Sequence, residues 1–266
     1  MKISVIGNSH SVAIRKGWEA LAAAGEAPDH EVEFFALGAA HLNDFRLGED
    51  GSFGPDPAAA NAKGLAMQAT HLNDRASIDL SHSDAVILVG LNLQFNALLR
   101  TLAHVNVAGL FDLQDGQTLL SRETLEGLAE GLLRRIALLG DWSAMADRPL
   151  LMVRPPWLSQ RFLETGIGGR PGGRLERITQ SFPEVADYVA RYAQRAEKQV
   201  EAQSPFTVVG QPEATVTGNG IFTRAAYSTG AVRLNDEAQP AHDVNHANEA
   251  YGRLYWEAIL DKLPAV

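Results

Sequence analysis

The sequence predicts an α/β fold, a three-layer α/β/α sandwich around a mainly parallel, flavodoxin-like sheet of five strands. Three observations predict it. Short apolar runs at Lys2–Ile6, Asp84–Val89 and Pro149–Val153 alternate with longer helix-forming stretches, the pattern of strands joined by helical crossovers. The run DAVILV at Asp84–Val89 is almost wholly apolar and β-branched, as a strand buried on both faces must be. Turn-forming residues follow the runs at once, at Gly7-Asn8, Gly38 and Gly90.

Taken in order, Lys2 to Ile6 is the first strand. Val12 to Ala24 is an Ala-rich helix that offers Val12, Ile14, Trp18 and Leu21 to the core. Gly25 to His30 is a turn, and Glu31 to Leu37 (EVEFFAL) is the second strand. Residues 39–83 fit the alternation poorly. Gly48 to Pro57 is rich in Gly, Pro and Asp and reads as loop, so the stretch is an insertion or irregular segment carrying a short hairpin or helix. The tetrapeptide HLND at His41–Asp44 and His71–Asp74 is not embedded in a longer repeat. Asp84 to Val89 is the central strand. Phe95 to Ala103 and Ser121 to Leu139 are helices, the second with Ser121 as its cap. Pro149 to Val153 is a buried strand, and Gly166 to Arg174 (GIGGRPGGR) places five glycines in nine residues, which makes 164–175 a Gly-rich loop. Pro183 to Gln203 is a charged amphipathic helix, Pro205 to Val209 a last strand, and Asn248 to Leu263 the closing helix.

The chain of 266 residues is long enough for one large domain over 1–266 with a sizeable core. A formal net charge of −9 argues against non-specific nucleic-acid binding, which needs clustered Lys and Arg. No apolar run approaches the roughly 20 residues that span a bilayer, so no membrane insertion is expected. The sequence enters a strand almost immediately, without the charged and apolar regions of a leader, and the expected compartment is the cytoplasm. Zero cysteines exclude disulfides, thiolate metal sites and a cysteine nucleophile. Composition leaves the oligomeric state open.

Right-handed crossovers put the carboxyl ends of parallel strands on one edge of the sheet, where such folds bind ligands. Ser9, Gly38, Asn92 and Arg154 each lie just past an expected strand end. Near the other terminus, Asp243 and His246 are spaced so that on a helical turn both side chains share a face. A serine hydroxyl needs a base before it attacks a carbonyl. His246 can be that base, with Asp243 holding its tautomer. The backbone N–H groups of Ser9 and Gly38 and the Asn92 amide are candidate donors to an oxyanion. Taken singly, each residue has a plainer reading: Ser9 as a helix cap, Gly38 and Asn92 as turn formers, Asp243 as the cap of the closing helix. Their joint occurrence in order favours a site. His242 and His246, four apart, have metal-ligand spacing, but a metal leaves the Ser, Gly and Asn positions unexplained, and none is expected.

The four blocks Gly7-Asn8-Ser9-His10-Ser11, Gly38, Gly90-Leu91-Asn92 and Asp243-Val244-Asn245-His246 resemble, in order and position, those of the SGNH (GDSL-like) hydrolase superfamily. Asn8 stands where that family usually has Asp, and Leu93 where its Asn block usually ends in Asp. The resemblance implies a divergent member without a cofactor: a serine esterase removing a small acyl group, acetyl in the first instance, from a carbohydrate or other polar metabolite. It leaves open an O-acyltransferase acting on a glycan, and a non-catalytic glycan-binding protein. His10, Arg154, Trp157, Arg170 and Arg174 are further candidates for substrate contact; Trp157 is equally suited to the core, and Arg170 and Arg174 lie on a Gly-rich stretch that is most simply a surface loop and otherwise a lid.

Overall fold

A computed structural model describes residues 1–38, 44–136, 140–163, 172–240 and 242–264. In chain order its strands are β1 (Lys2–Gly7), β2 (Glu31–Ala36), β3 (Phe45–Leu47), β4 (Ser52–Pro55), β5 (Ile78–Asp79), β6 (Ala85–Val89), β7 (Val105–Val107), β8 (Thr118–Leu120), β9 (Leu150–Val153) and β10 (Thr207–Val209). The α-helices are α1 (Ser11–Ala23), α2 (Ala62–Asn73), α3 (Phe95–Leu102), α4 (Arg122–Leu133), α5 (Gly172–Ser181), α6 (Pro183–Gln203) and α7 (Glu249–Leu260).

The central sheet has five strands in the order β10-β9-β6-β1-β2, all pairs parallel. This is the expected flavodoxin-like strand order. Alternate residues of each strand face opposite layers, so the core divides in two. Ile3, Val5, Ala85, Ile87, Leu151 and Val153 pack with α1 and α7. Ile6, Val86, Leu88, Leu150 and Met152 pack with α2 to α6. All five residues of β6 are buried, as its run of branched apolar side chains requires.

Several local expectations need correction. The stretch 45–79 takes the inserted hairpin-and-helix form rather than the irregular one: β3, β4 and β5 form a separate antiparallel sheet, and α2 lies between β4 and β5. Its strands are too short for a clear alternating pattern, and Gly54 and Pro55, read as loop, belong to β4. The second HLND copy ends α2, where Asn73 bonds both the N–H and the carbonyl of Ala36 at 2.6 and 2.8 Å. That amide substitutes for a strand neighbour along the open edge of β2. The first copy falls largely outside the described residues. Helix α4 ends at Leu133 rather than near residue 139; its cap is Ser121 as expected, accepting from Thr124 N–H at 3.1 Å. The parallel pair β7 and β8 has too few residues to register as strands in sequence. Helix α5 begins at Gly172, inside the stretch read as a Gly-rich loop.

Helices α1 and α7 lie against each other without side chains at their crossing. A Cβ on Gly17 would stand 2.2 Å from the Gly252 carbonyl carbon, and one on Gly252 would stand 1.8 Å from the Ala13 carbonyl oxygen. Beside this contact, Trp256 Nε1 donates to the Ile14 carbonyl at 2.7 Å, and Trp18 packs on Trp256 with ring centroids 4.6 Å apart. Helix α1 follows the Ser9 turn, and α7 follows the loop that carries His246, so this crossing joins the two ends of the chain. Gly252→Val is expected to lower the free energy of unfolding by about 3 kcal/mol, the upper range for forced overpacking. Urea denaturation measures it, and an unchanged midpoint contradicts the close crossing.

Candidate active site

The site lies at the carboxyl edge of the central sheet, where β1 and β6 stand side by side and their connections leave in opposite directions. In open α/β sheets this is the ligand-binding crevice. Gly7, the last residue of β1, pairs with Ala36 of β2 on one side and Val89 of β6 on the other. Ser9 is therefore two residues past β1, Gly38 two past β2, and Asn92 three past β6. The sheet brings all three turns to one edge.

Asn8 links two of these turns. It is buried, its Nδ2 donates to the Gly90 carbonyl at 2.8 Å, and its Oδ1 accepts from the His10 N–H at 3.0 Å. Gly90 has φ of +91°, and a Cβ there would come within 2.0 Å of Asn8 Oδ1. A side chain at position 90 is thus excluded by both backbone conformation and space. The amide of Asn8 supplies both a donor for Gly90 and an acceptor for His10, whereas an ionised Asp at this position could only accept. In the sequence Asn8 reads only as a departure from a motif. Its role depends on a contact 82 residues away, for which no local signal exists.

Ser9 does not cap α1, since its hydroxyl points to the other terminus. Ser9 Oγ lies 2.8 Å from His246 Nε2, across 237 residues of sequence. His246 Nδ1 lies 2.5 Å from Asp243 Oδ2. The second oxygen of Asp243 accepts from Asn245 N–H at 2.8 Å. The acid and the imidazole meet across an irregular loop rather than on a helical turn, because the Asn245 bond folds the loop back on itself. Nor does Asp243 cap α7; Asn248 does, accepting from Tyr251 N–H at 3.2 Å. Asn248 also ties the loop down, its Nδ2 donating to the carbonyls of Ala226 and Thr229 at 2.8 Å each. From the other side, Ser159 N–H donates to the Val244 carbonyl at 2.8 Å.

Burial pushes the Asp243 carboxyl up, but the bonds from His246 and from Asn245 N–H outweigh it, and its pKa falls below the usual carboxylate value. Asp243 is therefore ionised at neutral pH and accepts a hydrogen bond from Nδ1–H. That leaves the lone pair of the neutral imidazole on Nε2, facing Ser9.

Asn92 is exposed, and its Oδ1 accepts from Gln94 N–H at 2.9 Å. Its Nδ2 has no acceptor among the described residues. Gln94 holds φ of +63°, an uncommon conformation for a residue with a Cβ. Gly38 is partly exposed beside the Ser9 turn, with Leu37 N–H donating to the Gly7 carbonyl at 2.7 Å.

Of the four described residues considered for substrate contact, His10 sits against the Ser9–His246 pair; its ring stacks on His246 with centroids 5.0 Å apart. Arg154 is turned inward, its guanidinium 3.0 Å from Glu197 and over the rings of Phe95 and Trp157 at 5.7 and 4.8 Å. Its charge is already matched. Trp157 is a correction: it is 2% exposed and packs on Phe95 at 4.4 Å, so it belongs to the core rather than to a pocket wall. Arg174 is a second correction. It is 8% exposed on α5 and donates to Asp115, to Asn106 and to the Leu102 carbonyl at 2.6, 2.7 and 3.0 Å. A guanidinium with all of these acceptors pins the segment between α3 and α4 and has nothing to offer an anion. Arg170 lies outside the described residues. Among the described residues no group of three His, Asp or Glu side chains is placed to hold a metal ion, and no helix is long and apolar enough to cross a membrane.

No family model matches the sequence, and no curated protein matches it. Among solved structures, the chain is similar to a lipopolysaccharide acetyltransferase periplasmic domain from Salmonella ser. Paratyphi A, at 12% identity and a TM-score of 0.41, over 98% of this chain and 82% of that one. It is also similar to an acetyl xylan esterase, AlAXEase, at 11% identity and a TM-score of 0.34, over 98% of each chain. Likeness this distant does not bear on chemistry.

The Arg174 assignment has a pH signature. Its guanidinium is the main influence that holds the Asp115 carboxyl down at about 2, from an ordinary value of 3.8. A depressed carboxylate adds stability above its unfolded pKa and loses it as pH falls through the folded value. Arg174→Ala is therefore expected to lower the urea midpoint at pH 7, with the difference from the wild type shrinking as pH falls from about 4 toward 2. A substrate-binding Arg174 predicts an unchanged midpoint at every pH.

Proposed function

We propose that the protein is a serine esterase in which Ser9 is the nucleophile, His246 the general base and acid, and Asp243 the group that orients and charge-stabilises the imidazole. The observation that carries this reading is the unbroken line of hydrogen bonds from Ser9 Oγ through His246 to Asp243. Geometry of this kind lets a weak hydroxyl nucleophile lose its proton as it attacks.

The reaction follows from the atoms involved. Ser9 Oγ bonds to the ester carbonyl carbon while its proton passes to His246 Nε2. The carbonyl oxygen takes the electron pair and becomes an oxyanion, met by the N–H groups of Ser9 and Gly38 and by Asn92 Nδ2. The bond from Gln94 to Asn92 Oδ1 supports this role, since it orients the amide and leaves Nδ2 to donate. The amino end of α1 starts beside Ser9 and adds its positive dipole end. Collapse of the intermediate breaks the ester C–O bond, and the leaving alkoxide takes the proton from His246. Water, deprotonated by the same imidazole, then releases the acid from acyl-Ser9.

The substrate class, a small acyl ester such as an acetyl ester of a carbohydrate or another polar metabolite, rests on the resemblance of the four sequence blocks. With p-nitrophenyl acetate, Ser9→Ala is expected to remove activity above background. Asp243→Asn is expected to lower kcat by roughly 10³- to 10⁴-fold, as loss of the orienting carboxylate does where this chemistry operates. Initial rates at pH 8 measure both, and wild-type rates in Ser9→Ala rule the reading out.

A further inference from the structure

We propose that His10 is a positioning residue for the Ser9–His246 pair, a planar platform on which the imidazole of His246 rests. The inference deepens the esterase reading and depends on it for its kinetic arm. The two rings are close to parallel, 27° apart with centroids 5.0 Å apart, an offset-stacking separation.

What the His10 side chain leaves undone points the same way. Its Nδ1 is buried without a hydrogen-bond partner. A buried ring nitrogen kept for polar work normally has a partner. This one contributes a flat face. Its backbone is fixed by the Asn8 clamp, since His10 N–H donates to Asn8 Oδ1, so the platform is set by the same residue that sets the Gly90 turn.

The function of a platform follows from the geometry of proton transfer. Asp243 holds His246 at Nδ1, but a single bond there leaves the ring free to swing about its own axis. The Nε2 lone pair lies in the ring plane and must point at Ser9 Oγ. A second ring stacked on its face fixes that plane. Burial, and then the neighbouring charge of His246, hold the His10 pKa down at about 3, against a smaller opposing pull from Asp243. The platform is thus uncharged when His246 takes up its proton, and no like charge opposes that step.

Three variants, His10→Phe, His10→Ala and His10→Gln, separate this role from a polar one. With p-nitrophenyl acetate, His10→Ala is expected to lower kcat by about tenfold or more with KM within about twofold, as misalignment of a catalytic group does. His10→Phe, which keeps a ring and loses both nitrogens, is expected to recover most of that loss. His10→Gln is expected not to. Wild-type kcat in His10→Ala, or recovery by Gln and not by Phe, overturns the proposal. A measurement on the unmodified protein stands independently of folding of the variants and of activity. Ring-proton resonances of His246 are expected upfield in the wild type, from the ring current of His10; unshifted resonances overturn the stack. Absence of Ser9-dependent hydrolysis in the wild type sinks the esterase reading, and the resonance positions still decide the stack.

Discussion

The close crossing of α1 and α7 is the constraint on which the rest of the molecule depends. Backbone meets backbone at Gly17 and Gly252, at a separation that no side chain larger than hydrogen permits. Each helix is tethered by a short connection to one half of the candidate site, α1 to the Ser9 turn and α7 to the loop of His246. A wider crossing moves the two helix beginnings apart, and a hydrogen bond of 2.8 Å between Ser9 and His246 has little tolerance for that. The Trp256 bond to the Ile14 carbonyl and the packing of Trp18 on Trp256 lock the same pair of helices. Residues 237 apart are thus brought together beside a close-packed helix crossing in the core.

A second level of control lies in the turns themselves. Asn8 joins the β1 and β6 turns through one buried amide, and Gly90 is glycine because that amide occupies the space beside it. The loop of Asp243 is held by Asn245 within, Asn248 behind and Ser159 from the side. None of these residues carries out a chemical step. On the proposed reading they hold the atoms that do within the narrow range where proton transfer along a hydrogen-bonded line is effective. The proposed platform at His10 belongs to this group.

The parts of this arrangement that are local in the chain were legible in sequence. The central strands announce themselves through composition, β6 most clearly, because a strand covered on both faces admits few polar residues. The Ser9, Gly38 and Asn92 positions follow from the rule that strand ends converge on one edge, and Asp243 and His246 from their spacing. What sequence could not reveal depends on contacts between distant residues. Gly17 and Gly252 read as ordinary helix positions, although each is there for the other. Asn8 reads as a variant of a motif. Arg174 reads as a free cation in a glycine-rich loop, since neither α5 nor its partner Asp115 is visible locally. Trp157 follows a strand end, where a pocket wall was expected, but the aromatic contact with Phe95 draws it into the core.

The central claim is that packing of the chain ends makes a reactive serine, and covalent labelling tests it most directly. A fluorophosphonate captures a serine whose proton is taken by a neighbouring base, and peptide mapping by mass spectrometry locates the adduct. The account predicts stoichiometric modification at Ser9 in the wild type and its loss in His246→Ala. An unlabelled Ser9, or equal labelling in both proteins, contradicts it.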